Sequence, residues 1–439
     1  MSNYPIQRIA MLSVHTCPLA TLGGKETGGM NVYVRELARE LGRRGLAVDV
    51  FTRSQDPQIP RISRRLGDCV RVIHSPAGPE APYNKNLIYD HLNEFVGGVS
   101  AFAEAEGIRY DVLHSHYWLS GLVARDLQVA WGTPIVHMFH TLGELKNRVA
   151  QMPDELEPPL RIACEGEIMR FADRLVAATA LERNQMAALY GADPARVSIV
   201  PPGVDLGKFR PLPCEEARAR IGLPPDHHMV LFVGRIQPIK GIDSLIRAMA
   251  LVLERRPALR DHVSLSLIGG ADNATPDSEM ARLKTLREEL GIGDLVTFLG
   301  SRDQDTLVDY YTAASMVVVP SFYESFGMVA LEAMACGTPV IASDVGGLSL
   351  NIADGFNGYL VASGDVEELA YKITLLLTQD ELRRQLGRQA RAWSEGFSWQ
   401  IIADETLAAY DLASGRVPGD YAAQQNGPAA QEYAERTCP

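Results

Sequence analysis

The stretch MVVVPSFYESFGMVALEAMAC, Met316–Cys336, decides how this chain folds. Met316–Pro320 is an unbroken apolar run closed by a proline, the pattern of a strand buried on both faces. Met328–Cys336 reads as an apolar helix, and Ser321–Gly327 is the polar loop between them. Ser325 is a capping residue type, so the helix is expected to begin near Phe326. The first amides of such a helix, around Phe326 to Val329, have no partner within it and can receive a phosphate or sugar oxygen. Glu332 is the one charged residue of the helix. A buried carboxylate is costly unless paired, so either a ribose diol or a neighbouring cation is expected beside it. Glu324 precedes the helix, where it can face a cleft. Strand, polar loop and helix in this order form the repeating unit of a doubly wound α/β sheet, which binds ligands at the carboxyl ends of its strands.

Outward from that unit the alternation continues. Met229–Val233, Val263–Ile268, Val296–Leu299, Pro339–Ala342 and Tyr359–Val361 are strand candidates in the same half. Arg8–Val14, Ala47–Thr52, Val70–His74, Asp111–His116, Pro134–Phe139, Arg174–Ala178 and Val197–Pro201 form an earlier series, with helices expected over Asn31–Leu41 and Leu119–Ala130. The 439 residues exceed one ordinary core. Pro201–Pro213, rich in Pro and Gly, suits a linker between two. The expected fold is therefore α/β: two Rossmann-like doubly wound domains, residues 1–207 and 208–398, facing a central cleft. A helix over 399–413 is expected to cross back to the first domain. The tail 414–439, rich in Ala, Gln, Gly and Pro, is expected to be disordered.

Composition excludes several roles. A net charge of -12 argues against nucleic acid as the main partner, while 46% hydrophobic residues support globular folding. The six cysteines form no CxxC pair and suit a reducing compartment. No apolar stretch approaches the roughly 20 residues of a membrane span, and the N-terminus carries no signal-peptide pattern. A cytoplasmic location is expected. His114-Ser115-His116 lacks a third ligand at a metal-binding spacing, so no metal site is expected there.

Three more strand-end loops carry candidate residues. Gly23-Gly24-Lys25-Glu26-Thr27-Gly28-Gly29-Met30-Asn31 precedes a helix and would let backbone approach a ligand, although it is neither GxGxxG nor a P-loop. His140 and Thr141 end the strand Pro134–Phe139, where a histidine can bond a substrate hydroxyl or simply complete the core. Arg235 and Lys240 flank the turn after Met229–Val233; two cations there can neutralise a diphosphate or stand in solvent. Lys85 and Arg161 read locally as ordinary surface charges.

Taken together, Gly28–Tyr33, His114–Gly121, His140-Thr141-Leu142, Pro202–Asp205, Gly234–Pro238 and Glu324–Gly327 resemble the family-4 retaining glycosyltransferases of GT-B fold, over about residues 6–412. The resemblance implies transfer from a UDP-sugar, UDP-N-acetylglucosamine or UDP-glucose, to a small phosphorylated acceptor such as inositol phosphate. It gives Arg235 and Lys240 to the diphosphate, Glu332 to the ribose and Arg302 to the uracil region. Glu324 and the backbone of Phe326, Gly327, Met328 and Val329 would hold the donor sugar end, with His140 opposite. Gly29 would approach the diphosphate and Asn31 the acceptor. Lys85, Tyr117, Thr141 and Arg161 match the residue types that hold the acceptor phosphate. Sucrose-phosphate synthases are the nearest competing branch; a nucleotide-sugar epimerase and a non-catalytic sugar-nucleotide-binding subunit are further alternatives. No cofactor is required by this reading. The resembled branch is associated with magnesium on backbone groups, and the matching stretch Tyr311–Ala314 supplies no carboxylate cluster. A homodimer is left open.

Overall fold

The computed structural model describes residues 4–20, 28–150, 152–270 and 278–417. The early part of the glycine-rich run, Gly23–Thr27, and most of the expected tail lie outside the described residues.

The first half builds an eight-stranded sheet from β1 (Arg8–Leu12), β2 (Ala47–Arg53), β3 (Ile62–Ser63), β4 (Val70–Ser75), β5 (Val112–His116), β6 (Ile135–Met138), β7 (Arg174–Ala177) and β8 (Val197–Ile199). Their order is β3-β4-β2-β1-β5-β6-β7-β8, parallel except for the antiparallel edge β3. The second half builds a six-stranded, all-parallel sheet from β9 (His228–Val233), β10 (Val263–Ile268), β11 (Val296–Gly300), β12 (Met316–Val319), β13 (Val340–Ser343) and β14 (Gly358–Val361), ordered β11-β10-β9-β12-β13-β14. The apolar runs form strands because both faces of each sheet are covered: Val317, Val318 and Ile341 are fully buried, as are Val112 and Val136. Chain order reverses between β1 and β5 in one sheet and between β9 and β12 in the other. Crevices at such switch points, outside the strands' carboxyl ends, are where open α/β sheets take ligands.

The chain passes between the halves twice. One passage is the segment after β8, the other lies near residue 398, and a parallel bridge between Val204 and Ser398 joins them, with Val204 N–H donating to Phe397 O at 2.7 Å. The helix Trp399–Ala413 then packs on helix Gly29–Arg43 and strands β6 and β7 of the first half. Its Tyr410 hydroxyl lies 2.7 Å from His114 Nδ1, and Trp399 meets Tyr33 edge to face at 5.6 Å. Arg44 pairs with Asp404 and donates to Gln400 O at 2.6 Å. Among the described residues no helix is long and apolar enough to cross a membrane, and the five described cysteines are free thiols.

Because His114 and Tyr410 are both fully buried, Tyr410→Phe keeps the ring packing but leaves His114 Nδ1 unsatisfied. Thermal or urea unfolding is expected to register a loss of about 1–3 kcal/mol; an unchanged midpoint would remove this bond from the account of how the last helix is held.

Candidate active site

The carboxyl ends of β5 and β6 supply the first half's reactive face. Tyr117 and His140, each just past its strand, hold positive φ angles of 73° and 62°. For bulky residues this is strained backbone, tolerated where the surroundings over-determine it. It turns both side chains toward the space above the sheet edge, where both line one cavity of about 320 Å³. His140 Nε2 is 3.0 Å from His116 Nδ1. Desolvation by the surrounding protein brings His140 down to about 3, so the ring is neutral at physiological pH and suited to hydrogen bonding.

The second half faces it with the ends of β9 and β12. Lys240 Nζ lies 2.5 Å from Glu324 Oε2, so two residues assigned separate roles from sequence are bonded to each other across two loops. The helix expected to start at Phe326 under a Ser325 cap instead runs Met328–Ala335, with Gly327 as its cap residue at φ 93° and no side-chain cap. Glycine is needed there: a Cβ would meet Leu348 Cδ2 at 2.5 Å in a conformation that L side chains rarely adopt. The orphan amides therefore begin at Met328, while Phe326 is buried and its carbonyl accepts from Asn351 at 2.7 Å. Glu332 is buried and receives Tyr311 Oη at 2.9 Å and Gln304 Nε2 at 3.2 Å. Burial lifts its carboxyl to about 7, with these two hydrogen bonds pulling the other way. Gln304 Oε1 in turn accepts from Arg35 of the first half at 2.5 Å.

Every candidate residue lines this same cavity: Gly29, Asn31, Lys85, Tyr117, His140, Thr141 and Arg161 from one side, and Arg235, Lys240, Arg302, Glu324, Phe326, Gly327, Met328, Val329 and Glu332 from the other. Gly29 brings the halves close, since a Cβ there would lie 3.3 Å from Met328 Sδ. Asn31 lines the wall, but its amide is committed: Oδ1 accepts from Gly28 N–H at 2.9 Å, and Nδ2 donates to Thr16 Oγ1 at 2.6 Å and Cys17 O at 2.7 Å. It clamps the loop after β1 to the start of helix Gly29–Arg43.

Arg161, locally unremarkable in the sequence, is fully buried. Its guanidinium bonds Glu165 at 2.7 Å, Tyr117 Oη at 3.1 Å and the carbonyl and hydroxyl of Thr141 at 2.7 and 3.1 Å. Four residues went unsingled in the sequence: His15, Lys146, Glu157 and Gln304. His15 packs against Tyr117 with tilted rings, centroids 4.3 Å apart, and follows β1, so the strand-end rule could have found it. Its Nδ1 and the Ser321 hydroxyl, both on the cavity wall, have no hydrogen-bond partner among the described residues. Among the described residues no cluster of three or more His, Cys, Asp or Glu can hold a metal ion. Within the stretch Tyr311–Ala314 the Tyr311 carbonyl accepts from Thr338 Oγ1 at 2.6 Å, and its hydroxyl donates to Glu332.

Residues 28–203 match the model of the glycosyl transferase 4-like domain and residues 214–393 that of glycosyl transferases group 1. The chain is a group 1 glycosyltransferase. Relatives of this glycosyltransferase include D-inositol 3-phosphate glycosyltransferases of Actinosynnema mirum, 44% identical over 93% of this chain and 98% of the relative, and of Thermomonospora curvata, 42% identical over 94% and 97%. A sucrose-phosphate synthase from Thermosynechococcus elongatus superposes with a TM-score of 0.85 at 35% identity, covering 93% of this chain and 99% of its own. Anabaena HepE, solved with UDP-glucose, shares the fold at a TM-score of 0.70 and 21% identity, covering 91% of this chain and 98% of its own. The glycosyltransferase thus has the GT-B architecture that the motifs implied.

The raised carboxyl of Glu332 has a thermodynamic signature. Between its ordinary value of 4.5 and its folded value of about 7, the folded protein keeps a proton that the unfolded chain releases, so stability falls as pH rises through that window. Glu332→Gln removes the effect. Unfolding titrations should give a wild-type-minus-variant difference that declines by up to about 3 kcal/mol from pH 4.5 to 7 and is flat above; parallel curves would contradict the protonated carboxyl.

Proposed function

We propose that this glycosyltransferase moves N-acetylglucosamine or glucose from UDP to a small phosphorylated acceptor of the D-inositol 3-phosphate class, with retention at the anomeric carbon. The observation that carries the reading is the pairing of two anion-binding walls across one cavity: Lys85, Tyr117, Thr141 and Arg161 on one side, and Arg235, Lys240 and the helix start at Met328 on the other. The similarity to curated inositol-phosphate transferases over nearly the whole chain supports the acceptor class.

In this reading Glu332 takes the ribose hydroxyls, its ionised form favoured once they donate to it, and Arg302 lies on the uracil side. Charge builds on the departing diphosphate as the anomeric bond breaks, and Arg235, Lys240 and the helix amides stabilise it without reorganising. Release of Glu324 from Lys240 frees the carboxylate for the sugar hydroxyls, while neutral His140 bonds the sugar from the opposite wall. The acceptor hydroxyl attacks the same face, and a leaving-group phosphate oxygen takes its proton, so no protein nucleophile is used. Positive side chains already meet the diphosphate charge, and no step is routed through a metal. Sucrose-phosphate synthesis is the second reading, favoured by the 0.85 superposition.

Purified protein should release UDP from UDP-N-acetylglucosamine or UDP-glucose only when an inositol acceptor is present, far faster with D-inositol 3-phosphate than with free inositol, giving an α-linked product by NMR. Lys240→Ala should lower kcat/KM about a hundredfold. Turnover with UDP-glucose and fructose 6-phosphate instead, or near-normal activity of Lys240→Ala, would overturn the assignment.

A further inference from the structure

Three cations of the first half share one carboxylate oxygen. Arg161 Nη1 lies 2.9 Å from Glu157 Oε1, Lys85 Nζ lies 3.7 Å from the same atom, and Lys146 Nζ is bonded to it. Lys146 comes from the helix Gly143–Val149 that follows the His140 loop, and Lys85 from a separate segment far earlier in the chain. Glu157 is held by its own backbone: its N–H donates to Asn147 Oδ1 at 2.7 Å, and its carbonyl accepts from Asn147 Nδ2 at 3.2 Å. Its carboxylate is therefore a fixed point. It is only 5% exposed and is not part of the cavity wall, whereas all three cations are.

We infer that Lys146 is a further binding residue for the acceptor's phosphate, and that Glu157 is a positioning residue that gathers Lys146, Lys85 and Arg161 into one receptor from behind. This rests on the phosphorylated-acceptor reading above and extends it to residues that neither motif nor resemblance assigned.

The charge balance supports it. Glu157 and Glu165 between them neutralise two of the three cations, so the group keeps one positive charge facing the cavity. Without Lys146 it would be neutral and offer a phosphomonoester, which carries close to two negative charges at pH 7, no net attraction. Burial by itself would raise Glu157, yet Arg161, Lys85 and Lys146 outweigh it and bring the carboxyl down to about 2, so the counter-charge persists across the working pH range. Burial also pushes the Lys146 ammonium down, with Glu157 opposing, so a second anion on its cavity side meets a cation that gains from it. The two lysines supply mobile point charges, while the Arg161 fork, committed in the free protein to Glu157, Glu165, Tyr117 and Thr141, adds its positive charge and meets a phosphoryl oxygen by exchanging its Tyr117 or Thr141 bonds for it.

The test compares wild type, Lys146→Met and Lys146→Arg, using D-inositol 3-phosphate, unphosphorylated inositol at high concentration, and inorganic phosphate as a competitive inhibitor. Lys146→Met leaves Glu157 paired with Arg161 and Lys85, so a folded protein is expected, checked by its melting curve. The inference predicts at least a tenfold rise in KM for the phosphorylated acceptor and a similar rise in the inhibition constant of phosphate. The KM for UDP-sugar, kcat and the slow turnover of free inositol should stay within about twofold, and Lys146→Arg should recover much of the loss. A variant that keeps the wild-type preference for the phosphorylated acceptor, or that loses activity equally on both acceptors, would overturn the role of Lys146. If wild type itself does not prefer the phosphorylated acceptor, the functional reading falls and this inference with it.

Discussion

Two rows of cations and amides stand at the carboxyl ends of two parallel sheets and face each other across one gap. That opposition is the constraint on which the rest of the structure depends. Like charges brought together in a half-buried cleft repel, and counter-charges offset most of that repulsion before any ligand arrives. Glu324 meets Lys240, and Glu157 and Glu165 meet Arg161 and its lysine neighbours. Protein carboxylates thus hold the cations at their stations, an arrangement that suits the proposed anionic ligands. Preorganisation of this kind makes electrostatic stabilisation effective in a transferase, because little reorientation remains when charge develops on the leaving group.

The architecture was legible wherever burial wrote itself into composition. Strands covered on both faces need continuous apolar runs, and all six runs of the second half became strands within a residue or two of their expected limits. The two-residue edge strand β3 was not legible: Ile62 is exposed, and no apolar run marks it. The start of helix Met328–Ala335 was misplaced because Ser325 carries the composition of a cap, whereas the backbone path beside Leu348 needs the positive φ that Gly327 provides. Residues at strand ends, such as His140 and Lys240, could be found from topology alone. Lys85 and Arg161 could be reached only through family likeness, because each stands on an element whose local sequence resembles any surface. Lys146 and Glu157 had neither signal, since their meeting depends on a tertiary contact between distant segments.

The two halves are also coupled mechanically. Arg35 on the first half bonds Gln304, which bonds Glu332, so the carboxylate proposed for the donor ribose is tied through one side chain to the opposite domain. Gly29 approaches Met328 at the same seam, and the last helix returns to the first half next to the double crossing at Val204 and Ser398. A change in the angle between the halves therefore alters the surroundings of Glu332, the helix start and His140 together. Strain at Tyr117 and His140 marks the rigid side of that arrangement, where the backbone is held in an unfavourable conformation by a packed core of histidines and aromatic rings.

The most direct measurement is a crystal structure of the protein with UDP and D-inositol 3-phosphate bound together. The account predicts the diphosphate against Arg235, Lys240 and the amide of Met328, and the acceptor phosphate within hydrogen-bonding reach of Lys85 and Arg161 in the same cavity. A diphosphate bound away from Lys240, or an acceptor phosphate outside the reach of Arg161, would contradict it.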